Sequence, residues 1–226
     1  IAPVLEAVLD EAARRHLDLL MASRGLWPAL AARTGITLDR SGAIAVGAPG
    51  WLDRVGARFN TLHLRPTEIG RETATALAPG LAMPGDRALL TREDWRLEAR
   101  PSLQALMAAA ADAGVKVRPT LVPVDHGSDF LIVATGASPG ALAPEQKWLT
   151  PIKGHIVRVA HEASGVVVRA EGVYAVPGAE FIFGATMETG RDDTTIDLSQ
   201  SAPLLAAGRR LFPGLADCPA EVSVGV

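Results

Sequence analysis

The sequence predicts two interleaved parts, one α/β and one α+β. Three observations lead there. Phe130-Leu131-Ile132-Val133-Ala134 is a short continuous apolar run meeting Thr135-Gly136 after a helix and a strand, the pattern of a parallel strand buried on both faces. From Pro151 onward, apolar runs at 152–159, 166–169, 173–176 and 181–185 succeed one another with Gly and Pro turns between them, as in an antiparallel sheet. Elsewhere, apolar residues recur at helical spacing.

Taken in order, Leu5, Val8, Leu9, Ala12, His16 and Leu20 share one face of a helix of about five turns, with Pro3 in its first turn and Gly25 as its stop. A second short helix over Trp27 to Arg33 ends at Gly35, and Gly42 to Gly47 reads as a strand. Residues 50–81 read as helical but broken by glycines. Leu103, Leu106, Met107 and Ala110 mark a helix over Ser102 to Ala113, stopped by Gly114, after which Val115-Lys116-Val117 starts a strand. Residues 199–211 form one more helix, closed by Phe212-Pro213-Gly214, and Val222 to Val226 a last strand.

Composition narrows the function classes. A chain of 226 residues fits one large domain or two small ones and can bury a core without a disulfide or metal staple. Its single cysteine, Cys218, excludes an internal disulfide, a zinc ribbon and a CxxC redox pair, and points to a reducing, cytoplasmic compartment. A net charge of −3 offers no basic field for nucleic acid or anionic membrane. No apolar run approaches the ~20 residues of a membrane span. The opening without Met and the close on an apolar run lead us to expect an excerpt lacking both ends.

Gly136-Ala137-Ser138-Pro139-Gly140 is a literal G-x-S-x-G, but Pro139 has no N–H to give an oxyanion hole, so a strand-to-helix turn is the better reading. The five histidines show no metal-binding spacing, so surface or hydrogen-bonded roles are expected. Glu188, Asp192, Asp193 and Asp197 read as a solvated loop. Neither G-x-G-x-x-G nor a P-loop occurs. Tyr174 is the sole tyrosine; alternation sends Tyr174 and Val176 to one sheet face and Val173 and Ala175 to the other. From pattern alone it is a core tyrosine satisfied by a backbone group.

Several segments, in order, resemble one family. Gly114 to Val122 followed by Asp129 to Gly136 is similar to the strand and "ATG" turn of the D-amino-acid oxidase family of flavin-dependent amine oxidases. Pro151-Ile152-Lys153-Gly154, Gly172-Val173-Tyr174-Ala175-Val176-Pro177 and Gly184-Ala185-Thr186-Met187 resemble its P-[VI]-[KR]-G, G-[VI]-Y-x-[VI]-P and G-A-T-[MV] segments, most closely in the glycine oxidase branch associated with thiamine biosynthesis. The resemblance implies a Rossmann-type FAD domain (1–38 and 95–150) interleaved with a substrate domain on a large, mostly antiparallel sheet (39–94 and 151–226). It places the dinucleotide fingerprint before Ile1 and a carboxylate-clamping arginine after Val226.

It further implies FAD as cofactor, contacted by Val122, Ala134, Thr135 and Gly136, with Tyr174 holding the substrate carboxylate and Met187 lining the pocket. Implied partners are a small amino-acid substrate and molecular oxygen; homo-oligomer formation stays open. The implied reaction is oxidative deamination of glycine, sarcosine or small D-amino acids to imino or keto acid and hydrogen peroxide, in which the cofactor carries the chemistry. No catalytic acid or base is implied within the chain. A quinone-reducing dehydrogenase and a flavin-free binding module are the alternatives. The chain departs from the family pattern at Ser138, where Trp is frequent, at His155, where Gln is, and in the short connection 118–128.

Overall fold

The computed structural model describes residues 1–119, 129–136 and 140–226. Strand alternation from both halves of the chain produces one sheet. Its strands are β1 (Ala43–Ala45), β2 (Thr67–Gly70), β3 (Arg87–Thr91), β4 (Ile152–Val159), β5 (Val167–Ala170), β6 (Val173–Val176), β7 (Phe181–Gly184), β8 (Glu188–Thr189) and β9 (Ala220–Gly225). They run in the order β2-β3-β1-β5-β6-β7-β4-β8, with β9 also on β4. The β1–β5 pair is parallel, and the other pairs described are antiparallel.

The period of two gives each strand two destinations. Val168, Ala175, Phe183 and Val157 point to one face, where they are covered by α7 (Leu198–Leu211) and pack with Leu204, Leu211 and Phe212. On the opposite face Ala43, Ala45 and Leu89 are covered by α1 (Pro3–Leu9) and α4 (Pro49–Thr61) through Val4, Leu5, Val8, Leu52 and Phe59. That second cover stops short. Arg169, Tyr174 and Gly184, register partners across β5, β6 and β7, share the same face beyond it.

Asp94, which follows β3, fastens α1 to the sheet. It is 2% exposed, and its carboxylate accepts from the Val4 and Leu5 N–H groups at 2.8 and 2.9 Å, so it caps a helix ninety residues away whose own N-cap, Ala2, has no acceptor. Burial pushes its pKa up, and the two donors pull against that shift. Asp94→Ala strands two buried donors, each costing roughly 1–3 kcal/mol. A loss of about 3 kcal/mol, read as a fall of roughly 6–12 °C in the thermal midpoint, is expected in a circular dichroism melt; an unchanged midpoint would remove the cap from the account.

Several expectations are corrected. The five-turn helix is broken at Asp10, whose side chain accepts from Ala13 N–H and starts a new short helix, α2 (Glu11–Arg14). Gly25 does not stop a helix: α3 (Leu17–Thr34) runs through it and through Pro28, absorbing the expected second helix, and ends at Gly35 in the left-handed conformation, φ 72°. A mid-helix glycine costs only ~1 kcal/mol, which packing of α3 against α1 and against α6 (Ala99–Asp112) outweighs. Residues 50–81 hold not one broken helix but α4, β2 and α5 (Arg71–Leu77). The strand expected at Val115 to Val117 is not formed, and both valines are exposed.

The expected buried strand Phe130 to Ala134 is likewise absent, with Phe130 91% and Ile132 88% exposed. A strand buried on both faces requires paired edges and helices above and below, and no described residue supplies them there. Ser138 and Val122 lie outside the described residues. Among the described residues no helix is long and apolar enough to cross a membrane.

Candidate active site

The uncovered part of the sheet becomes a site because two polar side chains, Arg169 and Tyr174, stand on it. Val173 and Ala175 are buried in the core, so Tyr174 points the other way, as its alternation requires. The phenol lies flat across Gly184 of the neighbouring strand: a Cβ on Gly184 would stand 1.8 Å from Tyr174 Cζ. The Arg169 guanidinium stacks over the ring, 4.8 Å from its centroid. Burial pushes the Tyr174 pKa up, with Arg169 opposing the shift, so the group is a neutral O–H donor at ordinary pH.

Tyr174 is therefore not a satisfied core tyrosine. Its hydroxyl makes no hydrogen bond among the described residues. It opens instead on a cleft of 520 Å³ lined by Glu6, Leu9, Arg169, Tyr174, Gly184 and Met187, among others. Met187, 66% exposed, stands at the rim. Arg169 donates from Nη2 to Glu6 Oε2 at 2.8 Å, while its buried Nε finds no acceptor.

Under Met187 lies a polar network that fixes the 185–198 segment. The Thr186 hydroxyl accepts from the His155 N–H at 2.8 Å and lies 3.0 Å from His155 Nδ1. His155 Nε2 accepts from the Asp197 N–H at 3.0 Å, which assigns the ring proton to Nδ1. Lys153, fully buried, donates to Asp193 at 2.7 Å, and Arg191 donates to the same carboxylate. These two cations, Lys153 foremost, hold the Asp193 carboxyl well below the usual carboxylate range. Asp197 caps α7. The carboxylates read as a solvated loop are thus, at Asp193 and Asp197, structural tethers.

Ala134, Thr135 and Gly136 are not drawn into this cleft. They lie exposed, with Gln146 Nε2 donating to Thr135 Oγ1 at 2.8 Å and to Gly136 O at 3.2 Å. The structure therefore brings Tyr174 and Met187 together and leaves Ala134, Thr135 and Gly136 elsewhere. Arg169 is the residue the sequence reading missed. Its alternation with Val167 and Val168 puts it on the uncovered face, but nothing local shows that the register seats it beside Tyr174.

A family model for FAD dependent oxidoreductases, DAO, matches residues 4–226. The chain belongs to the DAO family of FAD dependent oxidoreductases, and its family cofactor is FAD. Its fold is similar to that of glycine oxidase from Geobacillus kaustophilus, at 22% identity and a TM-score of 0.73, over 92% of this chain and 66% of that one. Iminodiacetate oxidase from Chelativorans sp. BNC1 aligns at 21% identity and a TM-score of 0.74, over 92% and 67%. L-Proline dehydrogenase from P. horikoshii aligns at 15% and 0.73, over 96% and 67%. At these identities the likeness establishes the fold, and the chain spans about two thirds of the length of each. No curated protein matches the sequence.

The residues present fit the substrate-facing side of a flavin site. Val176, Ile182 and Ile156 leave a half-buried apolar floor beside Tyr174, suited to a flat aromatic ring, and the Tyr174 O–H and the Arg169 guanidinium at its edge suit an anionic acceptor. The exposed residues Ala134 to Gly136 add no converging donors to it.

Proposed function

We propose that the protein is an FAD-dependent amino-acid oxidase acting on glycine, sarcosine or small D-amino acids. The observation that carries this reading is the Tyr174 O–H, a donor with no acceptor among the described residues, opening beside the Arg169 guanidinium on one cleft. A carboxylate is the acceptor such donors select, because a charged acceptor roughly doubles the strength of each bond. FAD, when bound, supplies the electron acceptor for oxidation of the substrate C–H.

The chain's own residues bind and orient. Tyr174 donates to the substrate carboxylate, and Gly184 lets the phenol lie flat on the sheet at the edge of the cleft. Met187 closes the rim against water. His155, Thr186 and the Lys153–Asp193 pair hold the segment that carries Met187. We assign 39–94 and 151–226 to one substrate domain, supported by the single sheet that β1–β3 and β4–β9 build, and 1–38 with 95–150 to the FAD domain, where Ala134, Thr135, Gly136 and Val122 are proposed to contact the cofactor.

The test is the visible spectrum of the full-length protein. Flavin absorption bleached by glycine without oxygen and restored by air with release of hydrogen peroxide is expected; recovery without peroxide would exclude the oxidase. Tyr174→Phe is expected to raise KM about ten-fold, a loss of ~1.4 kcal/mol. Unchanged kinetics would take the phenol out of the site.

A further inference from the structure

We propose that His155 is a positioning residue that buckles both ends of the loop 186–197 at the rim of the Tyr174 cleft, and that a proton on its ring opens the buckle and weakens substrate binding. This goes beyond the amino-acid oxidase reading and rests on it for the use of the cleft.

The ring sits where both ends of the loop return to β4, and it is fully buried there. At one end the Thr186 hydroxyl lies 3.0 Å from Nδ1 and accepts from the His155 N–H at 2.8 Å, while the Thr186 N–H donates to the His155 carbonyl at 3.2 Å. At the other end the Asp197 N–H donates to Nε2 at 3.0 Å. Between these ends the loop carries Met187, which lines the cleft together with Ala185 just before the loop. One imidazole thus closes the loop, with one nitrogen for each end. It stands where the family pattern often has Gln, whose amide offers a donor and an acceptor but does not titrate.

The closure needs the neutral ring. Nε2 accepts from the Asp197 N–H only while it carries no hydrogen; protonation makes both ring nitrogens donors and sets two N–H groups against each other. The Asp197 carboxylate is not free to take up the new donor, because it accepts from the Ser199 N–H and hydroxyl at 2.8 and 2.6 Å. At Nδ1 the opposite holds. Glu188 Oε1, on β8, stands 3.1 Å away and makes no other hydrogen bond among the described residues, so it steadies a charged ring in place. Protonation therefore breaks one bond, at Asp197, without expelling the ring.

The carboxylates that tie the rest of the loop keep their charge. Imidazole is the side chain that ordinarily titrates between pH 5 and 8. Lys153 on β4 and Arg191 on the loop hold Asp193 well below the usual carboxylate range, and Ser199 holds Asp197 below its ordinary value, so both stay ionised across that window. Of the neighbouring elements, β9 sets Val224 opposite His155 and β7 carries no charged residue. The charged residues of α7, Arg209 and Arg210, are in its last turn. The β8 pairing and the Lys153–Asp193 pair persist, so the loop loosens at its Asp197 end while the fold stays intact.

Hydrogen exchange on the full-length, flavin-loaded protein tests this, with each amide rate divided by its intrinsic rate at that pH. Protection of the amides 187–197 is expected to fall about five-fold between roughly pH 8 and pH 5.5, as loss of one net hydrogen bond implies, while β6 and β7 keep theirs. His155→Gln is expected to hold the loop at both pH values, and His155→Leu, with neither donor nor acceptor, to leave it loose at both. Over the same range KM for glycine is expected to rise about five-fold more in the wild type than in His155→Gln, a comparison that cancels titration of the substrate. Loop protection that does not change with pH in the wild type, or that changes equally in His155→Gln, overturns the switch. The expected exchange pattern with the same KM profile in both proteins overturns the positioning role at the cleft. If glycine bleaches no flavin at any pH, the amino-acid reading falls, and exchange alone decides the buckle.

Discussion

Gly184→Ala is expected to raise KM for a small amino acid by about ten- to a hundred-fold in a protein that still folds. A Cβ at this position would stand 1.8, 2.1 and 2.3 Å from Cζ, the hydroxyl oxygen and Cε2 of Tyr174, distances that no packing tolerates. The strand cannot yield, because β7 is hydrogen-bonded to β6 on one side and β4 on the other. The phenol can, because it faces an open cleft. It must lift off the sheet, losing its place under the Arg169 guanidinium and entering the volume a substrate needs. Loss of a charge-assisted hydrogen bond alone is worth roughly 1.5–3 kcal/mol, about ten-fold to somewhat over a hundred-fold in affinity. The steric origin has its own signature: with Tyr174 replaced by Ala, the added alanine at 184 should cost nothing more in KM. A wild-type KM in the single variant would mean the phenol has no part in binding.

That glycine was legible as a motif residue but not as a cradle. Alternation in β4, β6 and β7 is regular enough that the strands, and the side of the sheet Tyr174 faces, can be read from spacing. The phenol resting on Gly184 and the guanidinium resting on the phenol depend on which residues the register sets opposite each other, and pairs such as Arg169↔Tyr174 carry no local mark. Helix boundaries failed for a related reason. Asp10 looks like any polar residue on a helix until its carboxylate bonds Ala13 N–H, and Gly25 looks like a stop until tertiary packing carries α3 through it. β3 was missed although Ala88-Leu89-Leu90 between Asp86 and Arg92 is a short apolar run of the kind a central strand shows. Phe130 to Ala134 failed in reverse: its pattern describes an environment, and no described neighbour supplies that environment.

The opposite face of β7 makes the companion prediction. Gly208 of α7 is buried against Phe183, and a Cβ there would stand 2.3, 2.4 and 2.5 Å from three atoms of the ring. Alanine is the better helix former by ~1 kcal/mol, so an exposed glycine at this point would be improved by the change. Phe183, however, is fully buried and has nowhere to move. Its ring lies 5.4 Å from that of Phe181, which is itself 4.7 Å from Phe212, so the helix must rise off the sheet instead. Overpacking of this kind costs roughly 1–3 kcal/mol, and with the propensity gain set against its upper range we expect Gly208→Ala to lose about 2 kcal/mol, seen as a fall of roughly 4–8 °C in the thermal midpoint. Because α7 touches only the core side of the sheet, KM should not change. Gly184→Ala is expected to show the inverse, weak binding with a near-normal melt. The two variants lie on adjacent chemistry, Phe183 and Gly184 of one strand, and their opposite outcomes would separate the face that holds the fold from the face that holds the ligand; a KM shift in Gly208→Ala as large as in Gly184→Ala would show that the strand itself, not the phenol, sets the site.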